Sequence, residues 1–264
     1  MDLQLKAKTA LVTGSTAGIG YATAKQLAAE GAEVIITGRS LSRVNEAMER
    51  IKKKIPEAQL KGYAVDFSQK DSIAKLLQSE PEVDILINNV GIFEPKEFES
   101  ISDEDWSYFF EVNVLSGVRL SRHYFPVMLQ KNWGRILFIS SESAVQIPEE
   151  MIHYGTTKTA QLAVARGLAE LSKGTQVTVN SVLPGPTKSE GVEGFVKDLA
   201  TQQNKSVETI EQEFFKEARP TSLIQRFTST DEVAHMVTYL ASPLASATNG
   251  AAIRADGGVI KTIL

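Results

Sequence analysis

The chain of 264 residues contains no cysteine and only three histidines, which removes several kinds of chemistry. Without cysteine the protein forms no disulfide and offers no thiolate, and a reducing compartment would suit it. His123, His153 and His235 are too scattered along the chain to predict a zinc site. We therefore expect no metal centre.

Strong charge of either sign is also lacking. The formal net charge is −4, whereas a nucleic-acid binder usually carries a basic stripe, so we expect no nucleic-acid partner. No apolar run approaches the length of a membrane span, and residues 1–6 leave no room for a signal sequence before the first apolar segment. We expect no membrane partner and a cytoplasmic location.

Short apolar runs rich in β-branched residues alternate with longer helical patterns throughout the chain. Such runs are typical of a parallel sheet that helices cover on both faces. No linker or internal repeat interrupts them, so the sequence predicts an α/β fold in a single domain over residues 1–264, with a Rossmann-type doubly wound sheet of about seven strands. The predicted strands are 9–13, 34–37, 63–65, 83–87, 135–139, 177–182 and 251–254.

Residues 190–224 break this alternation because they contain no obvious strand. Their clearest pattern is a polar helix over 206–215, for which Ser206 is a good N-cap. An insertion between the sixth strand and the next helix is well placed to cover an active site, so we predict a substrate lid. The alternative is a surface excursion without function.

A glycine-rich turn at 13–20 joins the first predicted strand to a helix. Gly14 permits a tight turn, while Gly18 and Gly20 let a pyrophosphate approach the backbone and the helix N-terminus. The spacing differs from the usual G-x-G-x-x-G, but the position between strand and helix is what phosphate binding requires. The alternative is a glycine loop that serves packing alone.

The end of the second predicted strand bears on the choice of cofactor. An NAD-specific site normally places an acidic residue there, against the ribose hydroxyl. This chain has Arg39 instead, and a guanidinium attracts a 2′-phosphate. Arg39 therefore favours NADP, and NAD is the alternative if this arginine is merely solvated.

Two Tyr-x-x-x-Lys spacings occur, at Tyr154/Lys158 and at Tyr21/Lys25. On a helix the two side chains share one face, and the charge of the lysine is expected to lower the pKa of the tyrosine. Only Tyr154 has a serine, Ser141, thirteen residues before it. We predict that Tyr154/Lys158 is the reactive copy and that Tyr21/Lys25 is a pair on a helix surface.

Several other motifs stand in a fixed order with the turn and the Tyr154 group. By this order and spacing, essentially the whole chain resembles the short-chain dehydrogenase/reductase family, including its members of the 3-oxoacyl-ACP reductase type. The motifs are Asp66 after the third strand, Asn88-Asn-Val-Gly91 after the fourth, Asn113, Pro184-Gly185 after the sixth, and Asp256-Gly-Gly258 near the end.

The resemblance implies a catalytic group of Asn113, Ser141, Tyr154 and Lys158. Tyr154 would be the general acid in carbonyl reduction and the general base in the reverse reaction, while Ser141 would hold and polarise the substrate oxygen. Lys158 would lower the pKa of Tyr154 and hydrogen-bond the nicotinamide ribose. Asn113 would support a water chain that relays protons to Lys158.

The resemblance also implies how the chain contacts the cofactor. Asp66 would meet the adenine, Asn89 and Gly91 the adenosine ribose region, and Pro184-Gly185 the nicotinamide, together with Thr187. The full set of expected cofactor contacts is Gly14, Ser15, Thr16, Gly18, Ile19, Gly20, Arg39, Asp66, Phe67, Asn89, Gly91, Tyr154, Lys158, Pro184, Gly185 and Thr187.

The sequence departs from the family pattern in two places. Val90 stands where alanine is usual, which adds bulk beside the cofactor. The loop before Tyr154 is unusually polar, and one hypothesis is that its carboxylates bind a hydroxylated substrate. Charged loop residues usually face water, however, so a solvated turn is favoured. The polar residues of this loop are Glu142, Gln146, Glu149 and Glu150.

Wide apolar faces occur on the helical segments 106–128 and 157–171. The resemblance implies a homodimer or homotetramer built through these helices. The alternative is that both are ordinary core helices of a monomer.

These features predict an NAD(P)-dependent oxidoreductase that interconverts a carbonyl group and a secondary alcohol, with NADP(H) favoured. One alternative is an NAD-linked alcohol or sugar dehydrogenase, and another is a non-catalytic protein that senses NADP. The identity of the small-molecule substrate is not predicted, because one fold serves many substrates.

Overall fold

The computed structural model describes residues 1–263 apart from the side chain of Phe195, and Leu264 of the predicted domain lies outside the described residues. The strands are β1 (Thr9–Val12), β2 (Glu33–Gly38), β3 (Leu60–Ala64), β4 (Ile85–Asn88), β5 (Gly134–Ile139), β6 (Val177–Pro184), β7 (Thr187–Lys188), β8 (Thr228–Ser229) and β9 (Ala252–Ala255). Seven of them form one parallel sheet in the order β3-β2-β1-β4-β5-β6-β9, and β7 pairs separately with β8.

The strand order reverses at β1, which pairs with β2 on one side and with β4 on the other. Ala10 lies opposite Val34 of β2 and opposite Ile85 of β4. Ligands of open α/β sheets bind beyond the carboxyl ends of the strands, at the point where the order reverses. The glycine-rich turn after β1 and the residues after β4 therefore meet at the edge where a ligand is expected.

Helices cover both faces of the sheet. Side chains alternate along β1, so that Ala10 and Val12 face one core while Leu11 faces the other. The first core is completed mainly by α1, α2 and α9, and the second by α3, α5 and α6. The helices are α1 (Gly18–Ala29), α2 (Leu41–Lys54), α3 (Lys70–Ser79), α4 (Asp103–Phe110), α5 (Ser116–Gln130), α6 (Ile152–Leu171), α7 (Glu190–Gln203), α8 (Val207–Glu217) and α9 (Thr230–Ala241).

The 190–224 segment has a small core of its own. Side chains of α7 and α8, among them Val196 and Phe215, pack with Phe227. Ser206 caps α8, as the sequence predicts, by accepting a hydrogen bond from the N–H of Thr209 at 3.1 Å. The pairing of β7 with β8 joins the two ends of the excursion that contains this segment.

The predicted seven-stranded parallel sheet is confirmed. The sequence missed β7 and β8, because two-residue strands leave no periodic pattern, and it began β3 at residue 63 although the strand starts at Leu60. None of the helices described is long and apolar enough to cross a membrane.

Candidate active site

A cavity of about 700 Å³ opens at the carboxyl edge of the sheet and extends to α7 and α8. The sequence-predicted residues that line it are Gly18, Ile19, Asn89, Gly91, Ser141, Tyr154, Lys158, Pro184, Gly185 and Thr187. The predicted residues that do not line it are Gly14, Ser15, Thr16, Gly20, Arg39, Asp66, Phe67 and Asn113. The fold thus brings the predicted serine, tyrosine and lysine into one space.

The glycine-rich turn has a shape that suits a phosphate group. Gly14 and Gly18 adopt φ angles of +62° and +59°, which strain residues that carry a Cβ. A Cβ at Gly20 would lie 2.4 Å from the carbonyl oxygen of Gly14. The turn leads into the N-terminus of α1, where free N–H groups favour an anion. These residues therefore fit the pyrophosphate of a dinucleotide.

Two side chains predicted to contact the cofactor hold this turn in place. The buried Ser15 hydroxyl donates to the carbonyl oxygen of Val12 at 2.8 Å and accepts from the N–H of Thr37 at 2.9 Å. Asn89 donates from Nδ2 to the carbonyl oxygen of Thr13 at 2.9 Å. Their side chains thus tie the turn to the neighbouring strands.

The end of β2 lies directly beside the turn. A Cβ at Gly38 would come within 2.5 Å of the Thr16 methyl group, so the absence of a side chain there permits the close approach. Arg39 follows and is exposed. The side chain of Arg39 is therefore accessible to a ligand at the end of β2.

Asp66 and Phe67 follow β3 and have structural contacts of their own. Oδ1 of Asp66 accepts from the N–H and the hydroxyl of Ser68 at 2.9 and 2.8 Å, which is the cap of a loop. The Phe67 side chain is buried in the core that α3 and α5 cover. Any contact of Phe67 with a cofactor must come from its backbone.

Tyr154, Lys158 and Ser141 meet where α6 packs against the end of β5. Lys158 is buried, and its Nζ donates to the carbonyl oxygen of Ile139 at 3.0 Å. The same nitrogen lies 5.6 Å from the centre of the Tyr154 ring. The Ser140 hydroxyl donates to the carbonyl oxygen of Lys158 at 2.9 Å and so fixes α6 on β5.

The pKa values of this group differ from the expectation. Burial raises the pKa of Tyr154 well above its ordinary value; the hydrogen bond with Ser141 opposes the shift, and the charge of Glu142 adds to it. Burial also lowers the pKa of Lys158 to about 8. The structure thus contradicts the predicted lowering of the Tyr154 pKa, because taking the phenolate out of water raises the pKa more than the hydrogen bond with Ser141 and the charge of Arg219 lower it. Near pH 7 the phenol keeps its proton.

Asn113 lies in a π-helical turn between α4 and α5, a distortion that is frequent at functional sites. Its amide accepts from the N–H of Ile92 at 2.8 Å and donates to the Thr157 hydroxyl at 3.0 Å. Its main-chain carbonyl accepts from Nε2 of Gln161 at 2.5 Å. Sequence reasoning missed Thr157 and Gln161, although their spacing of three and seven residues from Tyr154 places them on one helix face.

The residues after β6 complete the lining of the cavity. A Cβ at Gly185 would lie 2.4 Å from the carbonyl oxygen of Asp256, so this close approach requires glycine. The Thr187 hydroxyl bonds to the carbonyl oxygen of Gly185 and to the hydroxyl of Thr228, both at 2.9 Å. The backbone at Gly185 and the side chain of Thr187 are therefore both fixed at this side of the cavity.

The loop after β5 differs most from its prediction. Glu142 is only 5% exposed, and its Oε1 accepts from Nε of Arg219 at 3.0 Å. Arg219 follows α8, is also buried, and contacts Glu150 at 3.4 Å. The favoured interpretation, a solvated turn, is wrong at Glu142, although the exposed Glu149 agrees with it. No pattern near Glu142 indicated a partner 77 residues away.

The other Tyr-x-x-x-Lys copy lies on α1, and neither of its members lines the cavity. Tyr21 is 8% exposed and lies beneath Arg50, whose guanidinium carbon is 4.2 Å from the ring centre. Lys25 forms an ion pair with Asp231 at 2.7 Å. The prediction of a pair on the helix surface is therefore wrong for Tyr21, which is a core residue.

Comparison with known proteins agrees with this arrangement. Residues 8–200 match the family described as short chain dehydrogenase. The chain belongs to that family. As a short-chain dehydrogenase it is an NAD(P)-dependent oxidoreductase that acts on carbonyl and CH–OH groups, which sets aside the alternative of a non-catalytic sensor.

Relatives of this short-chain dehydrogenase match it over nearly its whole length. "Uncharacterized oxidoreductase YvaG" of Bacillus subtilis (strain 168) is 52% identical over 263 residues, with 100% of both chains covered. The 3-oxoacyl-[acyl-carrier-protein] reductase FabG of Aquifex aeolicus (strain VF5) is 34% identical, over 98% of this chain and 100% of its own. L-sorbose reductase from Gluconobacter frateurii, solved with NADPH and L-sorbose, has a TM-score of 0.92 at 30% identity, with 100% of both chains covered.

Proposed function

We propose that this short-chain dehydrogenase prefers NADP(H) and uses Tyr154 as the general acid when it reduces a carbonyl group to a secondary alcohol, and as the general base in the reverse direction. The observation that carries the proposal is the meeting of Ser141, Tyr154 and Lys158 in one cavity beside the glycine-rich turn. A phenol that keeps its proton near pH 7 is suited to the acid role.

Each of these groups has a task that its position allows. The glycine-rich turn and the N-terminus of α1 hold the pyrophosphate. Bound NADP(H) supplies the hydride for the reduction or accepts it in the oxidation. Tyr154 gives or takes the proton at the substrate oxygen, Ser141 hydrogen-bonds that oxygen, and Lys158 holds a positive charge near the phenol. Asn113 keeps the loop after β4 in place against α6.

The preference for NADP(H) rests on Arg39. Arg39 is exposed directly after β2, and a guanidinium attracts a 2′-phosphate. NADPH is the cofactor in the L-sorbose reductase structure. We expect Arg39→Ala to lower kcat/KM for NADPH about tenfold or more, while kcat/KM for NADH changes little. Arg122→Ala, the loss of another exposed arginine on α5, should leave the ratio of kcat/KM for NADPH to kcat/KM for NADH unchanged. If Arg39→Ala does not alter the ratio of kcat/KM for NADPH to kcat/KM for NADH, the NAD-linked alternative is favoured.

We assign the role of a lid to the 190–224 segment. Val192 and Phe214 of this segment line the same cavity as Tyr154. The β7–β8 pair joins the chain just before the segment to the chain just after it. Movement of α7 and α8 as one small unit would open or close the substrate side of the cavity.

A homodimer or homotetramer and a cytoplasmic location remain part of the proposal. Tyr108 and Leu115 expose apolar surface in the region of α4 and α5. Burial of that surface between subunits would stabilise an assembly. Sedimentation at micromolar concentration should give a multiple of 28.8 kDa, and a mass near that value would reject the assembly.

The reaction itself is tested by mixing the protein with NADPH and a panel of uncharged ketones. We expect consumption of NADPH by the wild type and a loss of about 100-fold in kcat/KM for Ser141→Ala, because one of the groups at the substrate oxygen is removed. The affinity for NADPH, measured by fluorescence, should stay within about twofold. Undiminished kcat/KM in this variant would contradict the role of Ser141.

A further inference from the structure

The cavity has a part that suits the cofactor and a part that the cofactor does not need. The first part is lined by Gly18 and Ile19 of the glycine-rich turn, by the loop after β4 at Asn89 and Gly91, and by the residues after β6. The second part is lined by residues 92–95, by the loop before α6, and by α7, α8 and Phe227. We call this second part the lid pocket. Its walls determine which compounds can present a carbonyl group to the phenol.

Apolar side chains form most of the walls of the lid pocket. Those from α7, α8 and the chain after them are Val192, Val196, Leu199, Ile210, Phe214 and Phe227. Phe93 and Met151 add apolar surface from the two loops, and the Phe93 ring centre lies 6.3 Å from that of Tyr154. Phe214 stacks on Phe227 with ring centres 5.1 Å apart. Apolar surface therefore begins beside the reactive phenol and continues into the lid, where it favours burial of an apolar chain.

Ion pairs already use the cations that the lid contributes. Arg219 donates from Nε to Oε1 of Glu142 at 3.0 Å, and its Nη1 contacts Glu150 at 3.4 Å. Lys205 donates from Nζ to both carboxylate oxygens of Glu213, at 2.8 and 2.7 Å. Arg219 is only 9% exposed, so salt screens its pairs weakly. Neither cation is free to bind an anionic group of a substrate.

Carboxylates outnumber cations along the part of the cavity lining that the structure describes. The acidic residues are Glu142, Glu150, Glu213 and Glu217, and the basic residues are Lys158, Lys205 and Arg219. Of these described cations only Lys158 lacks a carboxylate partner, and it donates to the carbonyl oxygen of Ile139 beside the phenol. A substrate carboxylate would therefore lose its water against walls of net negative charge and gain no new partner.

Hydroxyl groups of a substrate would also find few partners, because the polar side chains of the walls bond within the protein. Oε2 of Glu142 accepts from the N–H and the hydroxyl of Ser143 at 2.8 and 3.1 Å. The Thr187 hydroxyl bonds to the carbonyl oxygen of Gly185 and to the hydroxyl of Thr228. A sugar in this pocket would give up hydrogen bonds to water that the walls do not replace.

We propose that the lid pocket selects uncharged ketones and secondary alcohols that carry an extended apolar chain, and that it discriminates against carboxylates and sugars. The inference rests on the proposed function of the same site and names its substrate class. The apolar side chains of the lid bind the chain of the substrate. The charged group of Glu142, Glu150 and Arg219 gives the pocket an excess of negative charge next to Ser141, and that excess repels anions.

Steady-state kinetics at saturating NADPH tests the class with matched compounds. From 2-butanone to 2-octanone, kcat/KM should rise about threefold for each added methylene group, because each one is buried against the lid. Methyl acetoacetate should be reduced with a kcat/KM at least about tenfold higher than that of acetoacetate, which differs mainly in its charge. L-sorbose, the sugar in the related reductase structure, should react more slowly than 2-octanone.

One pair of variants tests the apolar wall. Val192→Thr replaces a methyl group by a hydroxyl group of similar size, and it should lower the ratio of kcat/KM for 2-octanone to kcat/KM for 2-butanone about fivefold. Val207→Thr is the matched control, since Val207 is also a partly buried valine of the lid core but does not line the cavity. It should leave that ratio unchanged. A general loss of structure would lower kcat/KM for both ketones together.

A second pair tests the charge of the pocket. Glu150→Gln takes one of the two carboxylates away from Arg219, so the ratio of kcat/KM for acetoacetate to kcat/KM for methyl acetoacetate should rise about threefold. Glu149→Gln removes an exposed carboxylate of the same loop that does not line the cavity, and it should leave this ratio as it is. High salt should reduce the difference between Glu150→Gln and the wild type.

The inference is wrong if kcat/KM does not rise with chain length, if acetoacetate is reduced as well as its methyl ester, or if L-sorbose is the best substrate. It is also wrong if Val192→Thr and Val207→Thr, or Glu150→Gln and Glu149→Gln, have equal effects on their ratios. Failure of the proposed function gives a different result, a wild type that consumes no NADPH with any of these compounds.

Discussion

The two Tyr-x-x-x-Lys copies have the same spacing on two helices but very different surroundings. Tyr21 on α1 is packed in the core, and its lysine, Lys25, is neutralised by Asp231. Tyr154 on α6 faces a cavity, and Lys158 donates to the uncharged carbonyl group of Ile139. One copy packs in the core of the fold, whereas the other lines the cavity in which we propose that the substrate binds.

The two copies differ in the group that the lysine contacts. An ion pair with a carboxylate at 2.7 Å commits Lys25 to a structural role. Lys158 is buried without such a pair, and burial lowers its pKa to about 8. An incompletely compensated charge of this kind costs stability and is a frequent mark of an active site. The spacing alone therefore says less than the electrostatic environment of each pair.

The largest difference is expected in turnover after the loss of each lysine. Lys158→Met should lower kcat for ketone reduction on the order of 100-fold or more, because the charge near the phenol is lost. Lys25→Met should leave kcat within about twofold, since Lys25 does not line the cavity. Steady-state kinetics with NADPH checks both values. Equal losses in the two variants would remove the distinction between the copies.

Truncation of the two tyrosines should have the opposite order of effects on stability, with the larger loss in the α1 copy. Tyr21→Ala leaves a hole in the core and should lower the free energy of unfolding by about 3 kcal/mol. Tyr154→Ala opens onto a cavity that already exists and should cost about 1 kcal/mol or less. Urea unfolding at constant m-value measures both changes. A larger loss for Tyr154→Ala would show that the assignment of core and site is wrong.

Lys158→Met should stabilise the protein while it removes activity. The pKa of Lys158 falls from 10.5 to about 8 on folding, so keeping the ammonium buried costs up to about 3 kcal/mol below pH 8, less what the Ile139 carbonyl returns. Between about pH 8 and 10.5 the unfolded chain binds more protons than the folded protein, so wild-type stability rises through that range relative to the variant.

Thermal unfolding of the wild type and Lys158→Met across this pH range tests the predicted direction of the stability change. The variant should melt several degrees higher near pH 7, and its advantage should disappear by about pH 10.5. A variant that is less stable at pH 7, or an advantage that grows with pH, would contradict a lowered pKa for Lys158.

The smallest effect is expected at the ion pair of the α1 copy. Asp231→Asn removes a partner that is half exposed, and surface pairs of this kind contribute about 0–1 kcal/mol. Denaturation in low and high salt should show a small loss that salt reduces further. A loss above about 2 kcal/mol would mean that this pair is a major stabilising element of the fold.

Local sequence patterns predicted the structural features that depend on residues close together in the chain. Alternating strands and helices gave the parallel sheet, and the glycine spacing indicated the turn after β1. The copy at Tyr154/Lys158 was separated from the one at Tyr21/Lys25 by the upstream serine. The glycine spacing and the group from Ser141 to Lys158 each extend over about twenty residues or fewer, a range in which helix and strand geometry fixes the relative positions of side chains.

Contacts between distant residues were not predicted. The pair of Glu142 with Arg219 joins a loop to a segment 77 residues away, and nothing in either stretch marks the other. The burial of Tyr21 depends on how α1 and α2 pack together. The direction of the Tyr154 pKa depends on how much water the fold removes from the phenol, which a spacing of four residues does not specify.

The role of Tyr154 is tested most directly by a single turnover of Tyr154→Phe, which removes only the phenolic oxygen. The NADPH-loaded wild type, mixed with excess ketone, should consume its NADPH in one fast phase that precedes product release. Tyr154→Phe should bind NADPH with an unchanged Kd and consume it at least 100-fold more slowly. Consumption at the wild-type rate would contradict the assignment of Tyr154 as the proton donor.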